Sequence, residues 1–173
     1  MGAGNNIDGE QSFTAHQQQT TNKGKETLAR SDYKFHHRFR VRYSEIDGQG
    51  IVFNAHYLTY FDCAITEYLR SLPFDYKSET KSSGMDFHTV RALVEYAKPI
   101  AFDEEFDVCV KVGRIGRSSI RFDFEVHGRA SEDLRSTGEI IWVYTNQTTH
   151  KTEVVAARLS ELIVTREGLS VKS

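Results

Sequence analysis

A single stretch of this chain carries a long helical period, and the stretches on either side carry the period of strands. That imbalance constrains the fold more than any other feature. Tyr57, Leu58, Phe61, Ile65, Tyr68, Leu69 and Leu72 recur at spacings of three, four and seven. Thr59, Asp62, Thr66, Glu67 and Arg70 fall mostly on the other side. This predicts an amphipathic helix over about 55–71, with Asn54 as an N-cap residue and Pro73 as the stop. Upstream, Phe35, His37, Phe39, Val41 and Tyr43 alternate with Lys34, His36, Arg38, Arg40 and Arg42, a strand with one wet face. Downstream, period-two stretches run over 88–96, 106–112, 120–126 and 134–145, broken near Gly113, Gly116 and Gly128. Segment 75–84 is polar and reads as an exposed connection, and Leu159, Leu162 and Ile163 suggest a short terminal helix. Hairpin-like links favour an antiparallel sheet, and one helix has to cover one face of it. The fold class is therefore α+β: a curved antiparallel sheet of about five strands around one long helix.

The chain has no internal repeat and reads as one domain over 35–168. Residues 1–34, with Gln17-Gln18-Gln19-Thr20-Thr21-Asn22, read as a flexible tail too polar to offset its ordering entropy. With 173 residues, 39% of them hydrophobic, a sizeable core is affordable. The net charge of −2 argues against nucleic acid or an anionic membrane as the main partner. No run approaches the roughly 20 apolar residues of a membrane helix. Residues 1–30 lack a signal-like apolar run, so a cytoplasmic setting is expected. Cys63 and Cys109 share no metal spacing and read as small apolar fillers.

The chemically unusual segment is Tyr43 to Tyr57, which leaves a strand, turns through Gly48 and Gly50, and enters the long helix. A helix N-terminus carries unpaired N–H groups and a partial positive charge. Such donors hold an oxygen that turns negative during reaction, and a carboxylate such as Asp47 a few residues earlier can reach the same point. The plain alternatives are Asp47 as a turn former, Glu45 as a loop charge and Asn54 as an ordinary cap. Tyr57 reads as core, and His56 as exposed capping region or pocket wall. His36 and His37 resemble a metal pair, but adjacent strand residues face opposite ways. Lys111, Arg114 and Arg117 either meet phosphates or decorate a hairpin end. His88 and Arg91 read as solvent-facing strand positions. Ser118 lacks a nucleophile elbow. Trp142, Phe122, Phe124 and Tyr144 read as core or subunit interface.

These residues carry a family resemblance. Asp47-x-x-Gly50-Ile51-Val52-Phe53, Asn54-x-x-Tyr57-Leu58-x-Tyr60-Phe61 and Glu67-Tyr68-Leu69-Arg70 resemble the 4-hydroxybenzoyl-CoA thioesterase family of hotdog proteins. Val94-Glu95-Tyr96-x-x-Pro99-x-x-Phe102-Asp103 and Gly113-Arg114-x-Gly116-Arg117-Ser118-Ser119 extend the likeness over about 36–165. The resemblance implies an acyl-CoA thioesterase that assembles as a homodimer or a dimer of dimers, with sites at the dimer interface. It assigns catalysis to Asp47 and the oxyanion donor to the Asn54 backbone N–H. Substrate contacts are expected from Gly50, Val52, Phe53, His56, Tyr57, Arg114, Arg117 and Ser118. No metal and no cofactor are implied, coenzyme A being part of the substrate. Two departures stand out: relatives often have Asp where Glu45 stands, and Tyr or His where Asn54 stands. The competing readings are an acyl-carrier-protein thioesterase and a non-catalytic acyl-CoA binding protein. A hotdog dehydratase would need a His-containing loop motif that is not visible here.

Overall fold

In the computed structural model, which describes residues 29–169, five strands form one antiparallel sheet in the order β1-β3-β4-β5-β2. The strands are β1 (His36–Arg40), β2 (Met85–Tyr96), β3 (Glu105–Ile115), β4 (Ser119–Gly128) and β5 (Leu134–Asn146). Helix α1 (His56–Arg70) lies against one face, and α2 (Tyr76–Ser83) and α3 (Ala157–Glu167) are peripheral. The architecture expected from the periodicities is the one adopted. Irregularities at Thr89/Arg91, Val112/Arg114 and Val126/His127 shift the register of three strand pairs. Such bulges add local twist, which lets a sheet curl around a helix.

The core is the contact between α1 and the inner sheet face. Phe61, Ala64, Ile65 and Tyr68 are completely buried there, against Phe106, Val108, Val110, Phe122 and Val126. Phe61 stacks on Phe124 with ring centres 4.3 Å apart. Directly opposite Phe124, β5 places Gly138. A Cβ at that position would lie 2.3 Å from Phe61 Cε2, so only glycine lets the helix sit this close.

The outer face is charged yet mostly covered. Asp107, Asp123, Glu125 and His127 are all buried. The expected tail covers part of it: Ala29 to Lys34 pack on the domain, whereas 1–28 lie outside the described residues. Arg30 donates to Asp107 Oδ2 through Nε (3.1 Å) and Nη2 (2.8 Å), and Tyr33 is buried. Polarity along this stretch does not disclose the aromatic anchor Tyr33 or the Arg30–Asp107 ion pair.

Other expectations also shift. Segment 75–84 is largely the helix α2, not an open connection. Asp75 Oδ1 caps it by accepting from Ser78 N–H (3.1 Å), and Gly84 closes it. It has no apolar stripe, so only its cap signalled it. The first strand ends at Arg40, because Tyr43–Glu45 winds into a 3-10 turn. Cys63 is exposed and fills nothing, while Cys109 is buried. Tyr57, Phe122, Phe124 and Trp142 are core as expected.

The candidate active site

Three segments meet at the N-terminal end of α1. The first is the turn 47–50. Asp47 N–H donates to Ile51 O (2.9 Å), and Gly50 N–H donates to Asp47 O (3.0 Å). Gly50 adopts φ +75°, a left-handed conformation that side chains disfavour, so the turn needs a glycine here. Asp47 is half-buried, and its Oδ1 accepts from Gln49 N–H at 2.8 Å. The turn-forming role weighed for this aspartate is therefore real. It engages one carboxylate oxygen by this bond.

The second segment is the return arm. Ile46 bridges Val52, Phe53 N–H donates to Glu45 O (2.9 Å), and Ile51 bridges Ala101. Phe102 N–H donates to Gly50 O (3.1 Å), so the 97–104 loop braces the turn from outside. The third segment is the helix mouth. The cap position belongs to Ala55, not Asn54, and no side chain caps it. His56 N–H donates to Phe53 O (2.9 Å) and Tyr57 N–H to Asn54 O (3.4 Å). Among the described residues, the N–H groups of Asn54 and Ala55 have no backbone acceptor. They are free donors at the positive end of a fifteen-residue helix.

Glu45 is no free loop charge. Its Oε2 accepts from Arg42 N–H and from the Tyr60 hydroxyl, each at 2.8 Å. Tyr60 and Tyr96 also reach this region, which their helix and strand periodicities do not disclose. Tyr96 O–H donates to Asn54 O (3.1 Å), and its ring meets Tyr57 edge-on at 5.0 Å. Burial, and then the neighbouring Tyr96, push the Tyr57 phenol up to about 12. Burial and the Glu45 carboxylate raise the Tyr60 phenol further. Both phenols stay protonated at neutral pH, so neither is a base.

The expected substrate contacts divide. Phe53 is exposed and His56 half-exposed, with their rings 6.2 Å apart beside the mouth. Val52 and Tyr57 are core and present no surface, because their side chains turn inward behind the wall. Arg114, Arg117 and Ser118 sit at the β3–β4 hairpin. Gly50 is tied to the loop before β3, whose eleven residues span roughly 35 Å to that hairpin. Within one chain these three residues do not join the site. The hairpin backbone is instead occupied by Tyr144 N–H on Ser118 O and Val155 N–H on Arg117 O.

A surface cleft of about 420 Å³ lies beside the 97–104 loop. Its Arg40, Arg129 and Arg135 are matched by Glu104, Glu105 and Asp133. Its charges are already neutralised. Among the described residues no three His, Cys, Asp or Glu side chains group to hold a metal, and no helix is long and apolar enough to cross a membrane.

A family model for the thioesterase superfamily matches residues 49–133, beginning just after Asp47. A putative esterase of Aquifex aeolicus is 36% identical over 92 residues, covering 53% of this chain and 71% of that protein. The acyl-CoA thioesterase YbgC of Haemophilus influenzae is 29% identical over 92 residues, covering 53% and 68%. Among solved structures, a Thermus thermophilus thioesterase complexed with coenzyme A and zinc superposes with a TM-score of 0.69 at 25% identity. That match covers 81% of this chain and 98% of that one.

Proposed function

Because this chain belongs to the thioesterase superfamily and has the hotdog fold, we propose that it is an acyl-CoA thioesterase acting through Asp47 and the mouth of α1. Thioester hydrolysis is the activity of the family and of this chain. The finer assignment rests on one observation. A half-buried carboxylate on a glycine-closed turn is tied through Glu45 and Phe53 to a helix mouth whose Asn54 and Ala55 N–H groups are unpaired.

In the proposed reaction the thioester carbonyl oxygen accepts from the Asn54 N–H. The developing negative charge is then stabilised by fixed donors and the helix end. Either the Asp47 carboxylate attacks the carbonyl carbon, giving a mixed anhydride that a water then hydrolyses to the free acid and the regenerated carboxylate, or Asp47 takes a proton from a water that attacks that carbon directly. The carbon–sulfur bond breaks with its electron pair on sulfur, and coenzyme A leaves as thiolate, which needs no strong acid. Phe53 and His56 line the approach of the acyl group. The substrate is read as a coenzyme A ester because YbgC is an acyl-CoA thioesterase and the Thermus enzyme binds coenzyme A.

The free edge of β2 supports a homodimer. Val90, Leu93 and Tyr96 on this strand are exposed, and a long uncovered apolar edge invites pairing. Arg114, Arg117 and Ser118 enter the proposed site only if contributed by a second copy. Val90→Lys should shift the sedimentation coefficient to that of a monomer. An unchanged dimer in that variant removes the β2 pairing.

Asp47→Asn is the test of the chemistry. Turnover of acyl-CoA esters, followed by thiol release, should fall about a thousandfold, equivalent to roughly 4 kcal/mol of transition-state stabilisation. The melting temperature should stay within about 2 °C, since the amide oxygen still accepts from Gln49 N–H. A variant that hydrolyses at the parent rate removes Asp47 from the mechanism.

A further inference from the structure

We propose that Tyr60 is a positioning residue for this active site, acting through Glu45 to fix the spacing between Asp47 and the helix mouth; this rests on the role proposed for Asp47.

Glu45 is the knot of the site. Its N–H donates to Arg42 O (3.0 Å), its Oε2 accepts from Arg42 N–H (2.8 Å), and its carbonyl accepts from Phe53 N–H (2.9 Å). Asp47 follows it by two residues, and Phe53 immediately precedes Asn54. Both halves of the reacting geometry, attacking oxygen and oxyanion donor, therefore hang on one residue. Backbone bonds join the two arms of the turn to each other. The bond that ties this knot to the body of α1 is the Tyr60 hydroxyl on Glu45 Oε2, at 2.8 Å.

Tyr60 is well suited to hold still. It is 3% exposed, and its ring packs on Phe39 (5.1 Å between ring centres), Phe106 (4.9 Å) and Tyr57 (6.4 Å). Those contacts pin it between β1, β3 and the start of α1. Its phenol stays protonated and donates its hydrogen to Glu45. It touches no reacting atom in this arrangement. It transmits the rigidity of the core to a surface turn, and a small misplacement of reacting groups is enough to cost a large factor in rate.

Removing only the hydroxyl separates positioning from packing. Tyr60→Phe keeps the ring and should lower kcat about tenfold, with KM within about twofold and the circular dichroism spectrum unchanged. In an Asp47→Asn background the same change should have no further effect on the residual rate, because there is no reacting carboxylate left to place. Glu45→Gln retains an acceptor oxygen and should hold kcat within about threefold of the parent, whereas Glu45→Ala should lose at least as much as Tyr60→Phe. The proposal is overturned if Tyr60→Phe keeps the parental kcat, if it slows Asp47→Asn by the same factor as the parent, or if Glu45→Gln is as impaired as Glu45→Ala. A fully active Asp47→Asn enzyme sinks the underlying mechanism instead, and that outcome is distinct from each of these.

Discussion

The two ends of α1 are finished in opposite ways. At its C-terminal end the helix is tied down: Ser71 N–H reaches Glu67 O (3.0 Å), Ser71 Oγ donates to Tyr68 O (2.6 Å), and Tyr68 O–H donates to Glu167 Oε1 on α3 (2.5 Å). Arg158, also on α3, donates to Pro73 O just beyond (3.1 Å). At the N-terminal end no side chain caps the helix, and the Asn54 and Ala55 N–H groups are left without backbone acceptors among the described residues. A helix end with unsatisfied donors costs stability that an ordinary cap would recover, about 1 kcal/mol. That end is where the proposed chemistry lies. The difference teaches that stability is concentrated at the end remote from the proposed chemistry, and polar groups are left open at the end where the proposed oxyanion would be received.

The largest test of this division is made in the middle of the helix, where Phe61 packs against Gly138 and Phe124. Gly138→Ala places a methyl about where Phe61 now sits. It should destabilise the protein by about 2–3 kcal/mol in urea unfolding, by the cost of overpacking. Because Phe61 belongs to the seat of the whole helix, activity should fall along with stability. A Gly138→Ala protein of parental stability would mean that α1 is not held against β5 as described. Next in size is a change on the outer face, remote from both ends. Asp107 is buried and held by Arg38 (2.8 Å), Arg30 (2.8 Å) and the Ala130 N–H (3.1 Å). Burial alone would raise its carboxyl, but these three partners outweigh it and hold it below the usual carboxylate range. A carboxyl depressed in the folded state stabilises fully above its unfolded value, and that stability is lost as pH falls through the folded one. Stability should thus decline as pH drops below about 4. Asp107→Asn should cost about 2 kcal/mol at neutral pH and flatten the acid limb, with kcat unchanged. Unfolding free energies between pH 3 and 7 decide it, and an unaltered acid limb would assign the acid sensitivity to other groups.

How much of this was legible in the sequence follows the same division. The inner face could be read because apolar spacing reports burial directly, and α1 and the strands around it appear where the periods put them. The outer face could not. Asp107, Asp123, Glu125 and His127 look like solvent residues by type, and their burial depends partly on Ala29 to Tyr33 folding back onto them. Helix α2 escaped because its marker was a cap and not a stripe. At the candidate site, the turn through Asp47 and Gly50 was legible from its glycines, whereas Phe53 enters only through the family resemblance. The pairing of Glu45 with Tyr60 was not legible, because a contact fifteen residues apart across a turn leaves no spacing signature. Arg114 and Arg117 lie the length of β3 away from Asp47 within one chain, a separation that their motif does not disclose.

The smallest effects sharpen the comparison best, because the same atom can be removed at each end of α1. Tyr68→Phe deletes a hydroxyl that is wholly enclosed and donates to a carboxylate on another helix. Its ring contacts, including Phe35 at 5.7 Å, survive. The loss should be about 1–1.5 kcal/mol, because a hydrogen bond to a charged partner disappears while half-exposed Glu167 regains water. Tyr96→Phe deletes a hydroxyl that donates to Asn54 O at the open end. Tyr96 is exposed, so water replaces the lost donor and the cost should stay under about 0.5 kcal/mol. Tyr68→Phe should leave kcat unchanged, since α3 lies at the other end of the helix from Asp47. Equal losses of stability in the two variants, measured side by side in urea, would show that the mouth of α1 is as firmly built as its far end. The uncapped donors would then be an accident of sequence instead of a place kept open for a substrate oxygen.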